Sequence, residues 1–261
     1  MYNAFDATSL LVTVVIALRL SILSALLPVI SGRSVPVLWR IALAVVIAAA
    51  IAPTITNELE NLPTSFRWEI LAVEAMQSII IGALLAFVVG IPFAAVRFAG
   101  QIIGVQIGFS MANTIDPQSG GQASVLSNLY YLLAVMFFFA SDAHHILITA
   151  MIESVRVVPP FTEVFSIGGS WYILSEFGSF FIIGLKIASP VIIVLLLVSV
   201  SMGFIVKTVP QINILVVGFP IKIAVGLAVL GLSMFFFGSV FESVLQTMSV
   251  QFDEVLLILG S

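Results

Sequence analysis

The sequence predicts an all-α, polytopic membrane protein of about six long, partly kinked helices in hairpins plus one short buried helix. Composition is the first reason. Of 261 residues, 61% are hydrophobic and 8% charged, against roughly 45–50% and about 25% in soluble domains. So few charges cannot clothe a soluble fold of this size. The second reason is that apolar stretches of about 18 or more residues, long enough for bilayer spans, recur along the whole chain. No polar block is large enough for a soluble domain, so residues 1–261 read as one unit.

The net charge is −4 and there is no basic run. Nucleic acid and anionic lipid surfaces are therefore poor candidates for main partners. With no cysteine, disulfides and thiolate chemistry are excluded. Met1–Leu10 carries Asp6 and no Lys or Arg. It lacks the features of a cleaved signal peptide, so the first apolar segment is expected to stay in the mature protein.

Segment one covers Leu10–Ile30, with Arg19 near its middle, and ends at Ser31-Gly32-Arg33-Ser34-Val35-Pro36. Segment two, Val37–Ala52, stops at Pro53. A polar loop, Thr54–Glu69, leads to segment three, Ile70–Phe93, which holds Glu74 and Gln77. The next stretch, Phe98–Met111, is too short to span and reads as a re-entrant or protein-buried helix. Beyond the polar loop Asp116–Gln122, segment four, Leu126–Ile152, is interrupted at Ser141-Asp142-Ala143-His144-His145. Segments five, Phe177–Val206, and six, Ile212–Phe241, follow, and the chain ends in an amphipathic tail. Basic residues sit beside alternate loops: Arg33 and Arg40, then Arg97, then Lys207 and Lys222. Six spans with both termini outside place all of them in the cytoplasm.

Five ionisable residues fall inside apolar segments: Arg19, Glu74, Asp142, Lys186 and Lys222. Each costs roughly 2.5–3.5 kcal/mol at a span centre, so each should face a partner or water. Glu74 would neutralise Arg19 or Lys186. Asp142, His144 and His145 allow a proton relay or a polar, locally bonded helix end. A metal site there would need more ligands at suitable spacing. No Ser-His-Asp or Cys-His arrangement has supporting context, so no enzyme and no cofactor are expected.

Gly100, Gly104 and Gly108 share one helical face, since they recur every four residues. Small residues there let another helix approach, either in this chain or in a partner subunit. Thr114–Gln122 is the most polar stretch between two apolar ones; Asp116-Pro117 starts a turn and Gly120-Gly121 loosens it. It is either a plain connection or a movable constriction in a conduit. Phe137–Phe139 and Phe235–Phe237 read as lipid-facing or core aromatics. Met111 and Met136 would suit a deformable lining.

Several strings resemble one family, and together they cover nearly the whole chain. They are the first segment followed by Ser31-Gly32-Arg33-Ser34-Val35-Pro36 and Arg40, then Ala94–Gly104, Gln106–Ser110, Asp116-Pro117, Pro210–Asn213, and Val217–Lys222. In order and spacing they resemble the FliR family, the R-type subunits of the bacterial flagellar type III export gate. The resemblance implies a non-enzymatic subunit of a helical hetero-oligomer, in the bacterial inner membrane at the flagellar basal body. Its implied partners are P-type and Q-type subunits, a B-type subunit on the cytoplasmic side, membrane lipid and unfolded flagellar export substrates. Residues 1–170 would be P-subunit-like and 171–261 a Q-subunit-like hairpin and tail. Gln106–Gln122 would resemble the channel plug, with Gln106, Gly108, Phe109, Met111, Asp116, Pro117, Gly120 and Gly121 within it. Virulence injectisomes use related subunits. The other reading of the residues, a secondary transporter or ion channel, predicts inverted repeats. Pro92 and Pro190 are the nearest matching pair, and their surroundings differ.

Overall fold

The computed structural model describes residues 7–28, 35–56, 68–109, 125–160, 169–209, 211 and 214–260. Among them it has seven α-helices and no strand: α1 (Ala7–Leu26), α2 (Val37–Thr56), α3 (Trp68–Ile107), α4 (Val125–Ala140), α5 (Ala143–Val157), α6 (Gly169–Thr208) and α7 (Ile214–Gly260). Four are long and apolar enough to cross a membrane, namely α2, α3, α6 and α7. The pair α4–α5, bent by 70°, is either a fifth, broken span or a re-entrant loop, and the apolar part of α1, Leu10–Leu26, is shorter. The all-helical, polytopic fold is as the sequence predicts.

Phe98–Met111 differs from its expected form as a separate short helix. Phe98 lies within α3, which runs unbroken from Trp68 to Ile107 with Pro92 inside it. A proline removes one helical hydrogen bond and crowds the preceding turn. Breaking the helix would instead free several backbone groups where water cannot satisfy them. Arg97 and Gln101 interrupt nothing, because both lie on an exposed face. The same reasoning covers Pro53, which is inside α2 rather than at its end. It also covers Pro190 in α6 and Pro220 in α7. The tail expected after Phe241 is a direct continuation of α7.

The chain divides into two compact units, and α3, α6 and α7 each supply residues to both. The first unit comprises 1–91, 142–176 and 246–261. There α2 packs against α1 and α5. The buried residues of α1 (Val12, Ile16, Arg19, Leu20, Leu23) repeat every three or four positions and form one stripe. Gly82 of α3 lies close to the same helix: a Cβ there would be 3.0 Å from the Arg19 carbonyl oxygen and 3.1 Å from Ile22.

In this unit the start of α6 is tied to the end of α7. The Tyr172 hydroxyl donates to the Gln251 carbonyl at 3.3 Å, and Gln251 Nε2 donates to the buried Glu176 carboxylate at 2.5 Å. Gln251→Leu is expected to lower stability by about 1.5–3 kcal/mol, the scale of a bond to a charged group. Thermal unfolding in detergent measures this. An unchanged midpoint would show that the carboxylate is satisfied without the amide.

The second unit comprises 92–141 and 177–245. Its core is aromatic. The buried Phe93 ring meets Tyr131, Phe138 and Phe241 edge-on, at centroid distances of 6.0, 5.5 and 6.1 Å. Edge-to-face pairs are the favoured geometry for such rings. Phe237 continues the cluster, with Tyr130 at 5.5 Å and Phe241 at 5.6 Å. Each Phe triplet is therefore split between core and surface. Phe138 and Phe237 are buried, while Phe139, Phe235 and Phe236 are exposed.

Candidate functional site

The site begins where α3 ends. The last residue of α3 is Ile107, and Gly108 follows with φ 101°. The Phe109 N–H donates to the Gly104 carbonyl at 3.0 Å, and the Gly108 N–H to the Val105 carbonyl at 3.1 Å. This pair of bonds is the Schellman cap, which satisfies carbonyls a helix end would otherwise leave open and favours glycine at the left-handed position. A Cβ on Gly108 would also lie 2.6 Å from the Phe219 ring of α7, so that side chain would have to shift. Gly-Phe directly after an apolar run is a helix-stop signal. Reading Gly108 as a packing and plug residue missed it.

Toward this end, α3 is clamped to α4. A Cβ on Gly100 would lie 2.7 Å from Ser127 Cα and 2.8 Å from the Leu126 carbonyl oxygen. The Ser127 hydroxyl donates to the Arg97 carbonyl at 2.9 Å. The Arg97 guanidinium stacks 3.9 Å over the Tyr131 ring. Gly100 and Gly108 thus meet neighbours within this chain, and Gly104 is buried. Gln106 is half-buried and Phe109 exposed. Met111, Asp116, Pro117, Gly120 and Gly121 lie outside the described residues. Met136 is exposed.

The charged residues sort by burial. Arg19 is fully buried and lies 3.5 Å from the Glu74 carboxylate. Its Nη1 donates to the Ser154 carbonyl at 2.9 Å and to the Val158 carbonyl at 3.4 Å. Of the two cations proposed for Glu74, Arg19 is the one beside it. The cluster joins α1, α3 and the C-terminal end of α5, and each group of the pair offsets a charge that apolar surroundings would otherwise penalise. Lys186 is exposed on α6 and Lys222 half-buried on α7.

Asp142 stands at the break between α4 and α5, in the left-handed conformation with φ 55°. It is exposed, and its carboxylate lies 3.7 Å from His145 Nδ1. The His144 and His145 rings are 4.1 Å apart. The interruption expected at Ser141–His145 is therefore present, and it brings three ligand-bearing side chains together.

These features define a multi-pass helical membrane protein with a charge pair neutralised inside it and a capped helix end opening into a polar segment. Residues 10–248 match the model of the family described as bacterial export proteins, family 1. The chain is 32% identical over 216 residues to the flagellar biosynthetic protein FliR of Bacillus subtilis, covering 82% of each chain. It is 34% identical over 215 residues to the FliR of Escherichia coli K12, covering 82% of this chain and 80% of that one. The Yop proteins translocation protein T of Yersinia pestis is 28% identical over 151 residues, 57% of this chain and 58% of the relative. The chain belongs to the FliR family of bacterial export proteins.

Proposed function

We propose that this chain is a core, non-catalytic subunit of the flagellar type III export gate, in the bacterial inner membrane at the basal body. It helps form and plug the channel through which unfolded flagellar proteins leave the cell. The observation that carries this reading is identity above 30% to two flagellar FliR proteins over four-fifths of the chain. On this reading P-type and Q-type subunits surround the chain and a B-type subunit joins on the cytoplasmic side. Residues 1–170 act as the P-subunit-like portion and 171–261 as the Q-subunit-like hairpin and tail. The similarity to a Yop translocation protein supports a second reading, a virulence injectisome gate, over a shorter match and at lower identity.

The plug is assigned to Gln106–Gln122. Two features support it: a helix end fixed by the Gly108 cap, and the Asp116-Pro117 and Gly120-Gly121 turn elements in the segment beyond. The test is to shorten Ser119–Gln122 in cells that also carry the P-, Q- and B-type genes. The membrane is expected to leak ions or small solutes while the complex assembles in normal amounts. Unchanged conductance with normal assembly would remove the plug assignment. If the intact chain does not co-purify with P- and Q-type subunits, the gate reading itself fails.

A further inference from the structure

We propose that Asp142, His144 and His145 form a divalent transition-metal site that takes Zn2+, Ni2+ or Cu2+, with water completing the coordination. The inference is independent of the export reading. One ligand atom from each of the three side chains lies within 4.8 Å of the other two. In a tetrahedral zinc site with metal–nitrogen bonds of about 2.0–2.1 Å, ligand atoms stand about 3.3 Å apart. Side-chain torsions of the three residues would have to close that gap on metal binding. The Asp142 and His145 side chains are exposed.

Asp142 is not engaged as the N-cap of α5. An aspartate in front of a helix ordinarily accepts hydrogen bonds from the first-turn N–H groups, with its backbone in the extended region. Asp142 precedes α5 but is left-handed, with φ 55° and ψ 21°, and its side chain makes no capping bond. Its carboxylate lies by the His145 imidazole instead, 3.7 Å from Nδ1. The His145 N–H donates to the Asp142 carbonyl at 2.9 Å, which holds the two residues in one turn. Sequence spacing alone gave no reason to expect three convergent ligands.

The donor set chooses the metal. Two imidazoles and one carboxylate suit zinc, nickel, copper and also ferrous iron, whereas magnesium and calcium want shells of oxygen. The N-terminus of α5 also carries a partial positive charge that opposes any cation. Affinity for such nitrogen ligands rises along the Irving–Williams order. The chain has two histidines and no cysteine, so every imidazole it owns is at this place and every thiolate alternative is missing.

That composition makes the test direct. The full chain, purified in detergent with a histidine-free tag, is titrated with Zn2+ by calorimetry and loaded with Cu2+ for electron paramagnetic resonance. The expected result is one ion per chain, a copper spectrum with coupling to two imidazole nitrogens, and no competition from Mg2+. Asp142→Asn and His145→Gln should each weaken zinc binding by at least about tenfold, the lower end of what a lost supporting group costs in metal sites. The double variant His144→Gln/His145→Gln should remove the nitrogen coupling. Gel filtration and circular dichroism confirm the fold of each variant, and the exposed His145→Gln alone suffices if the double variant does not fold. Zinc binding of equal strength in wild type and His145→Gln would overturn the proposal, as would a copper spectrum without nitrogen coupling in the wild type.

Discussion

Arg19→Met is expected to destabilise the protein by about 3–5 kcal/mol, the scale set by removing one partner of a buried ion pair. The loss has two parts. The Glu74 carboxylate, 2% exposed, loses the guanidinium 3.5 Å away. The Ser154 and Val158 carbonyls lose the donors that tie the end of α5 to α1. The double variant Arg19→Met/Glu74→Met is expected to recover most of that stability, because an apolar pair of similar volume needs no compensation. Thermal unfolding of the single and double variants in detergent gives both numbers. If the double variant is as unstable as the sum of the singles, the pair is not coupled and the account fails.

Gly100→Leu is expected to be comparably damaging, while Gly90→Ala on the same helix should be mildly stabilising. Both changes gain helix propensity, by up to about 1 kcal/mol over glycine. Space decides the sign. A Cβ at Gly90 has nothing within 4 Å, whereas one at Gly100 would lie 2.7–2.9 Å from backbone atoms of Leu126 and Ser127. Backbone cannot rotate aside as a side chain can, so α4 must move off α3. The Ser127 bond to the Arg97 carbonyl then goes too. Overpacking against deformable side chains already costs about 1–3 kcal/mol, and a leucine against fixed backbone belongs at or above the top of that range. Unfolding midpoints that shift in opposite directions for the two variants are the expected result. A neutral Gly100→Leu would mean that the α3–α4 clamp is loose.

How far the sequence reveals this molecule depends on whether a feature is local. The fold class follows from composition and the length of apolar runs, and both survive any packing detail. The break at Ser141–His145 was legible because polar residues interrupt an apolar run. The left-handed turn of Asp142 was not, since nothing in the residue string dictates it. The long α3 was misread as two elements, a span ending at Phe93 and a short helix starting at Phe98. In apolar surroundings an unbroken backbone outweighs one lost hydrogen bond, and a polar residue on an exposed face breaks nothing. The Arg19–Glu74 pair illustrates the other limit. The sequence showed that each charge needed a partner, but the two are 55 positions apart and Lys186 was an equal candidate. Only packing chose. Gly100 likewise read as a close-approach residue without saying what approaches; the neighbour is the α4 backbone.

The lengths of α3, α6 and α7 have a consequence for the life of a single copy. Helices of 40, 40 and 47 residues extend about 60–70 Å at 1.5 Å per residue. A bilayer hides only about 30 Å of that. Side chains such as Phe177, Leu197, Phe204 and Phe235 are exposed on these helices, and helices this long must tilt, kink or project beyond the bilayer. Apolar surface that projects beyond the bilayer needs a protein cover. Binding that covers the folded form stabilises it by mass action. The abundance of this chain in a cell should therefore follow the supply of its partners more closely than its own rate of synthesis, with surplus copies cleared by proteolysis.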